Sequence, residues 1–168
     1  MTVKRGAGLL PFARHEGFIY LFLGRENVEG GHSASGQWSD FGGGAEFFES
    51  DEECAAREGY EETMGMFGNQ GKLLLHIKEY RIMKINLENY TSYVLEVPYD
   101  KTLPNRFESV YKCVKRERKS LIKEKNGFFE KDRVKWIALK KFKNEKRYRS
   151  IRPFYRAVIK ILYKELYG

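Results

Sequence analysis

The sequence has 168 residues, with 31 Lys and Arg against 23 Asp and Glu and a net charge of +8. This length suits one domain that buries a core without disulfides, so we expect residues 1–168 to form a single domain. No apolar run is long enough to span a bilayer and no signal or lipidation motif is recognisable, which excludes a membrane protein and predicts a cytoplasmic or nuclear one. Cys54 and Cys113 lack metal or redox spacing and are interpreted as reduced thiols.

The net charge is divided unevenly along the chain. Residues 1–100 contain nine basic and 16 acidic residues, whereas residues 101–168 contain 22 basic and seven acidic ones. An acidic cleft beside a basic surface suits a polyanionic substrate, but a basic face that only keeps the protein in solution explains the same asymmetry. The oligomeric state is not predicted by any feature of the sequence.

Apolar periodicity predicts the secondary structure in chain order. Strands are predicted at 4–14, 18–25, 38–41, 73–85, 90–97 and 134–142, with helices from 51 to 65, within 101–127, and from an N-cap at Ser150 to Leu166. Pro11 has no amide hydrogen to donate to a neighbouring strand. The first strand is therefore expected at an edge of the sheet or at a bulge.

The helix that follows the glycines at 42–44 has clear start and stop signals. Ser50 and Glu53 form a capping box, which predicts that the helix begins at Asp51. Gly65 can adopt the left-handed conformation that ends a helix. A helix with these ends can pack against a sheet and present its acidic residues to a cleft.

Three glutamates of this helix share one face. Glu58, Glu61 and Glu62 stand at positions i, i+3 and i+4, so their carboxylates project into one arc. Their mutual repulsion calls for a positive partner, and Mg²⁺ or Mn²⁺ prefers oxygen ligands of this kind. The alternative is an ordinary acidic surface helix whose spacing arose by chance.

The spacing of charged residues around this helix resembles the Nudix box, Gly-x5-Glu-x7-Arg-Glu-U-x-Glu-Glu-x-Gly-U, in which U is a bulky aliphatic residue. Gly43, Glu49 and Arg57 occupy the matching positions ahead of the glutamates. Two stretches depart from the pattern. Gly59 replaces the bulky aliphatic residue, and at the helix exit Met64 stands where the pattern has glycine, with Gly65 one residue late. These departures affect helix packing and helix exit rather than charge.

The resemblance implies the Nudix fold, an α/β/α sandwich with a mixed sheet, and Mg²⁺-dependent hydrolysis of the phosphoanhydride in a nucleoside diphosphate derivative. It further implies that Arg57 pairs with Glu49. The metal ligands it implies are Glu58, Glu61, Glu62 and a backbone carbonyl at Gly42 or Gly43. Members of this family often carry an additional acid shortly before a strand that contains tryptophan.

The strand around Trp136 fits that description, and Glu130 and Asp132 are the two candidate acids. We choose Glu130 as an additional ligand or base, although an exposed loop acid would look the same in the sequence. Trp38, Phe41, Tyr80 and Trp136 could stack on a nucleobase, but core packing is the simpler interpretation of each.

The basic second half keeps two other functions open. One is hydrolysis of capped or triphosphorylated RNA 5′ ends, and the other is a catalytically silent Nudix-like module that binds RNA. The basic face predicted for the helix within 101–127 contains Lys115, Arg116, Arg118 and Lys119. These residues are either an RNA-binding surface or the solvated face of a core helix.

Overall fold

A computed structural model of the chain describes residues 4–123 and 126–168. This part contains seven strands, which are β1 (Gly6–His15), β2 (Phe18–Glu26), β3 (Trp38–Ser39), β4 (Phe41–Gly44), β5 (Arg81–Asn86), β6 (Tyr90–Glu96) and β7 (Lys131–Ala138). It also contains six α-helices, which are α1 (Asp51–Glu62), α2 (Gln70–Tyr80), α3 (Leu103–Glu117), α4 (Lys119–Lys123), α5 (Glu145–Arg149) and α6 (Arg156–Tyr167).

The seven strands form one mixed sheet with β1 near its centre. β1 pairs in parallel with β6 and antiparallel with both β4 and β2, and β2 continues the sheet through β3 and β7. Strand β5 closes the opposite edge against β6. The predicted mixed sheet is confirmed.

Alternation along β1 explains why helices cover both faces of this sheet. Ala7 and Leu9 are fully buried in a cluster with α1 and α2, whereas Leu10 and Phe12 are fully buried in a cluster with α6. Successive residues of a strand point to opposite faces, so both faces are apolar and each needs a helical layer. The predicted α/β/α sandwich is therefore confirmed.

The edge position expected from Pro11 is wrong, because β1 is a central strand. Pro11 lies opposite Leu95 in the parallel ladder with β6. On its other side, β4 pairs with β1 only as far as Leu9, and β2 pairs with it only from Phe12 onward. Pro11 thus occupies the short gap between two antiparallel partners, where a missing amide hydrogen leaves no ladder bond unmade.

The strand predicted at 73–85 is wrong over most of its length. The chain forms α2 up to Tyr80, and only the following residues form β5. The side chain of Asn69 accepts a hydrogen bond from the amide of Lys72 and caps the helix, and Leu73 and Ile77 bury one face at a spacing of four residues. The apolar run by itself resembles a strand, and the Asn69 cap is the local signal that distinguishes the helix.

The basic segment after residue 100 also differs from the prediction of a single helix ending at 126–127. Arg118 interrupts it, so α3 ends at Glu117 and α4 follows. The core face of α3 consists of Leu103, Phe107 and Tyr111, whereas Val110 is 46% exposed.

Near the C-terminus, the strand predicted at 134–142 ends earlier, at Ala138, and a 3-10 helix follows. Ser150 does not begin the last helix. It is the C-cap of the short α5, and α6 begins only at Arg156, after a 3-10 turn that starts at Pro153. Both thiols are free, and no helix in the described part of the chain is long and apolar enough to cross a membrane.

Candidate active site

Helix α1 begins at Asp51, as the sequence predicts, but its last helical residue is Glu62 and not the predicted residue 65. The hydroxyl of Ser50 accepts from the Glu53 amide at 3.1 Å, and the Ser50 amide donates to the Glu53 carboxylate at 2.8 Å. At the exit, Gly65 has φ +73° and its amide donates to the carbonyl of Tyr60. Met64 also has a positive φ, of 53°, which explains why the Nudix pattern has glycine at this position.

The departure from the pattern at Gly59 is explained by packing. A Cβ at Gly59 would lie 2.9 Å from Cδ2 and 3.0 Å from Cβ of Leu9 in β1. The helix therefore approaches the sheet more closely here than a bulky aliphatic residue would allow.

Arg57 connects this helix to the loop before it. The guanidinium donates to both carboxylate oxygens of Glu49, at 2.8 and 3.1 Å, so the predicted pair is present and bidentate. It also donates to the Gly44 carbonyl at 3.1 Å, to Glu58 at 2.9 Å and to Glu61 at 3.3 Å. The hydrogen bond to Glu49 raises the pKa of Arg57 above its already high value, so this charge is permanent.

An open cleft of about 600 Å³ brings the carboxylates of Glu58, Glu61 and Glu130 together, with Lys4 at the same cleft. Glu58 lies against Gly43, where an added Cβ would be 2.5 Å from its Oε1, and Glu61 lies in the same way against a second glycine, at 127. Burial raises the pKa of Glu58 to about 7 and shifts the pKa of Glu61 and Glu130 upward. Bare backbone on both sides lets the carboxylates sit deep in the cleft.

Glu62 is the most deeply buried of the three helix glutamates. It is 2% exposed, and its Oε2 lies 3.7 Å from Nζ of Lys131. Lys131 is fully buried and donates to Glu26 at 2.5 Å and to Ser39 at 3.2 Å. The sequence analysis missed Lys131 and Glu26, because only strand pairing between β2 and β7 brings their opposite charges together.

These two groups have linked charges. Burial raises the pKa of Glu62 well above its ordinary value, and Lys131 opposes this rise. For Lys131, burial favours the neutral amine, but Glu62 and Glu26 outweigh that effect and raise its pKa. Lys131 is therefore a buried ammonium held between two carboxylates.

The cleft carboxylates and Glu62 are the candidate ligands for Mg²⁺ or Mn²⁺. Among residues 4–123 and 126–168, no three His, Cys, Asp or Glu side chains are arranged as a metal-binding group, because Arg57 reaches Glu58 and Glu61 while Glu62 faces Lys131. The donors nevertheless suit a hard cation, since all are carboxylate oxygens. Oε2 of Glu62 is buried and has no hydrogen-bond partner among the described residues, so the residues fit such a metal.

The backbone carbonyls of Gly42 and Gly43, the two candidate metal ligands, have different surroundings. The Gly43 carbonyl accepts a 3.5 Å hydrogen bond from the Cys54 thiol. Gly42 packs against Tyr90, because an added Cβ would lie 1.8 Å from the tyrosine hydroxyl. Gly43 is thus the one that adjoins Glu58.

The two acids near Trp136 are separated by the structure. Glu130 lines the cleft, whereas Asp132 accepts from Arg25 at 2.7 Å and from the amide of Val28 at 2.9 Å. Asp132 therefore ties β7 to the chain that follows β2 and does not line the carboxylate cleft.

A buried polar cluster that the sequence analysis missed lies on the α6 side of the sheet. Asp40 is 1% exposed and accepts hydrogen bonds from Tyr90 at 2.7 Å and Ser92 at 2.8 Å. Burial raises the pKa of Asp40 to about 6, although both hydrogen bonds oppose the shift. Its neighbours Trp38 and Phe41 are buried, as their interpretation as core residues predicts, whereas the same interpretation of Tyr80 is wrong, because Tyr80 is 63% exposed.

Comparison with proteins of known structure identifies the fold. No family model matches the sequence, and no curated protein matches it significantly. Solved structures of similar fold exist. A C. elegans Ap4A hydrolase is 13% identical with a TM-score of 0.55, and the match covers 99% of both chains. The Nudix hydrolase RenU from M. smegmatis is 12% identical with a TM-score of 0.53, and the match covers 98% of this chain and 86% of RenU. The NUDIX domain of Shewanella oneidensis NrtR, complexed with ADP ribose, is 13% identical with a TM-score of 0.57. The match covers 99% of this chain and 90% of the NrtR domain. The chain has the Nudix fold.

Proposed function

We propose that residues 1–168 form one hydrolase domain, a pyrophosphohydrolase that uses Mg²⁺, or Mn²⁺ in its place, to cleave the phosphoanhydride of a nucleoside diphosphate derivative. The observation that carries this proposal is the single cleft in which Glu58, Glu61 and Glu130 meet beside Arg57. A cluster of partly buried carboxylates costs stability unless a cation compensates it, so a purely structural role explains it poorly.

We assign the metal to Glu58, Glu61 and Glu62, with the carbonyl of Gly42 or Gly43 completing the set. The metal would neutralise the diphosphate oxygens and lower the pKa of a bound water. Of the two backbone carbonyls, that of Gly43 is favoured, because this glycine lies against the Glu58 carboxylate.

The other residues of the cleft have roles in positioning and proton transfer. The bidentate pair of Arg57 with Glu49 holds the loop against α1 and thereby orients Glu58 and Glu61. Glu130 is an additional ligand or the base that removes a proton from the attacking water, since it lines the same cleft as Glu58 and Glu61 and its side chain is exposed there. Lys4 adds positive charge near the phosphates.

The proposed substrate class is supported by two proteins of similar fold, one an Ap4A hydrolase and the other bound to ADP ribose. Hydrolysis of capped or triphosphorylated RNA 5′ ends is the second candidate, because 22 of the 31 basic residues lie after residue 100. A silent RNA-binding module would have no use for the buried carboxylates, which argues against it.

Turnover by purified protein with Mg²⁺ tests the proposal, using free nucleotides, dinucleotide cofactors, diphosphoinositol phosphates and capped RNA as substrates. Glu61→Gln and Glu62→Gln should each lower turnover by about 10² or more and weaken Mn²⁺ binding measured by calorimetry, and the melting temperature of Glu61→Gln should hold or rise. Glu79→Gln, on the exposed side of α2, is the matched control and should change neither.

Two results would contradict the proposal. Wild-type turnover in both the Glu61 and Glu62 variants at saturating Mg²⁺ would show that these carboxylates do not hold the metal. A wild-type protein that binds RNA but turns over none of the substrates would favour the silent module.

A further inference from the structure

The net charge of the protein comes from one segment. Residues 139–168 contain ten Lys and Arg and two Glu, a net charge of +8, which equals that of the whole chain. The other residues therefore sum to zero. This segment forms α5 and α6, and α6 covers the face of the sheet to which Leu10 and Phe12 point, opposite the face covered by α1.

A cleft of about 370 Å³ opens in this basic layer. Tyr148 and Tyr163 line it and are half-buried, and Lys143, Lys160 and Lys164 stand exposed beside them. Nζ of Lys143 lies 5.3 Å from the centre of the Tyr163 ring, and Nζ of Lys160 lies 5.7 Å from that of Tyr148. We call this the tyrosine–lysine cleft, a site in which ammonium groups lie close to two tyrosine rings.

The three lysines of this cleft differ from the bases of α3 in their partners. None of the ion pairs formed among residues 4–123 and 126–168 includes Lys143, Lys160 or Lys164, and the one acid at the cleft, Glu145, pairs with Arg149. On α3, by contrast, Lys115 pairs with Glu29, Lys112 with Glu108 and Arg116 with Glu117. Lys115 and Arg116 of the basic face predicted from the sequence are thus neutralised locally, whereas the three lysines of the tyrosine–lysine cleft are not.

We propose that the tyrosine–lysine cleft binds single-stranded RNA, with an unpaired base against Tyr148 or Tyr163 and the flanking phosphates at the three lysines. Aromatic rings that stack on bases beside cations that follow the phosphates are the combination by which proteins bind single strands. In a duplex the base faces are already stacked, so an accessible aromatic ring favours a single strand.

This site is separate from the carboxylate cleft, because the sheet lies between α1 and α6. A free nucleotide in the carboxylate cleft would not reach it, whereas a polymer could contact both. The proposal does not depend on the hydrolase assignment, since RNA binding here is measurable without any turnover.

Fluorescence anisotropy with a labelled single-stranded 15-mer RNA, in EDTA and across a range of salt concentrations, tests the site in the full chain. Changing Lys143, Lys160 and Lys164 together to Glu should weaken binding at least 10-fold and reduce the salt slope by about two, since each phosphate contact to a single strand contributes about 0.7. The charge-matched control changes Lys112, Lys115 and Arg116 to Glu and should alter affinity less than about 3-fold.

A second variant tests the aromatic part of the site. Tyr163→Leu keeps an apolar side chain of similar bulk and should weaken RNA binding about 5-fold or more while leaving affinity for inorganic polyphosphate unchanged. Melting curves of each variant, and turnover of a small dinucleotide, should match the wild type. A normal turnover with lost RNA binding would separate this site from the carboxylate cleft.

Four results would overturn the proposal. Equal loss of RNA affinity in the two triple variants would mean that binding is unspecific attraction to a basic surface. Unchanged RNA affinity in both Tyr163→Leu and Tyr148→Leu would remove the stacking role. Equal binding of duplex and single-stranded RNA would remove the preference for single strands. Wild-type protein that binds phosphatidylserine vesicles but not RNA would assign the basic layer to a membrane surface.

Discussion

Replacing the buried Lys131 by Met should destabilise the fold by about 3–5 kcal/mol, the usual cost of removing one partner from a buried ion pair. Nζ of Lys131 lies 2.5 Å from Glu26, 3.2 Å from Ser39 and 3.7 Å from Glu62. Methionine has nearly the same length, so the loss reflects charge rather than packing. The variant leaves two carboxylates inside the protein with their main cation removed.

The destabilisation should depend on pH, through Glu62. Lys131 lowers the pKa of Glu62 against the raising effect of burial, so its removal raises this pKa further. The unfolded chain releases the Glu62 proton near pH 4.3, whereas the folded variant retains it to higher pH. Stability of the variant therefore falls as pH rises above about 4.3, and the deficit relative to wild type should be larger at pH 8 than at pH 5.

Urea unfolding in EDTA at pH 5 and pH 8 measures this effect. With a slope of about 2 kcal/mol/M, a loss of about 4 kcal/mol lowers the midpoint by about 2 M. Adding Glu62→Gln to Lys131→Met should restore part of the loss, because it removes one unpaired carboxylate. Lys135→Met, at an exposed position of the same strand, is the matched control and should cost less than about 1 kcal/mol. A loss below about 1 kcal/mol at pH 8, or one equal at both pH values, would refute this reasoning.

Three further predictions concern single positions. Glu130→Gln should lower turnover by about 10²–10⁴, because Glu130 lines the cleft, whereas Asp132→Asn should lower stability and leave turnover nearly unchanged. The pKa of Asp40 rises from 3.8 to about 6 on folding, so wild-type stability should fall by about 2 kcal/mol as pH rises from 4 to 6, and Asp40→Asn should remove this component in urea unfolding. Gly59→Leu should cost about 1–3 kcal/mol or more in the same assay, because the added side chain meets Leu9.

Each of these predictions has a result that contradicts it. Damage to turnover from the Asp132 change alone would show that Glu130 was the wrong choice of acid. An Asp40→Asn variant whose stability keeps the wild-type slope between pH 4 and pH 6 would place the proton elsewhere. A Gly59→Leu protein as stable as the wild type would mean that α1 can move away from β1, and Gly71→Leu, with open space around its backbone, provides the comparison.

The start of α1 and the left-handed turn that follows it were predictable because their signals are local. The Ser50 capping box and the left-handed Gly65 involve residues within a few positions of each other, so the sequence contains all of their determinants. The fork between Arg57 and Glu49 spans one loop and was also foreseen. The strand predicted at 73–85 is wrong although its signal is also local. The Asn69 cap indicates a helix, whereas the apolar run alone indicates a strand.

The sequence by itself determined the acidic helix, the resemblance to the Nudix box and the order of most strands, because periodicity, capping and short spacings are properties of neighbouring residues. Only the tertiary structure decided which acids meet in the cleft. Lys131 and Glu26 are 105 residues apart and come together because β7 pairs with β2. Pairing among strands likewise sets Pro11 at the centre of the sheet and the lysines after residue 139 on the face opposite the carboxylates, since such contacts depend on the packing of distant segments.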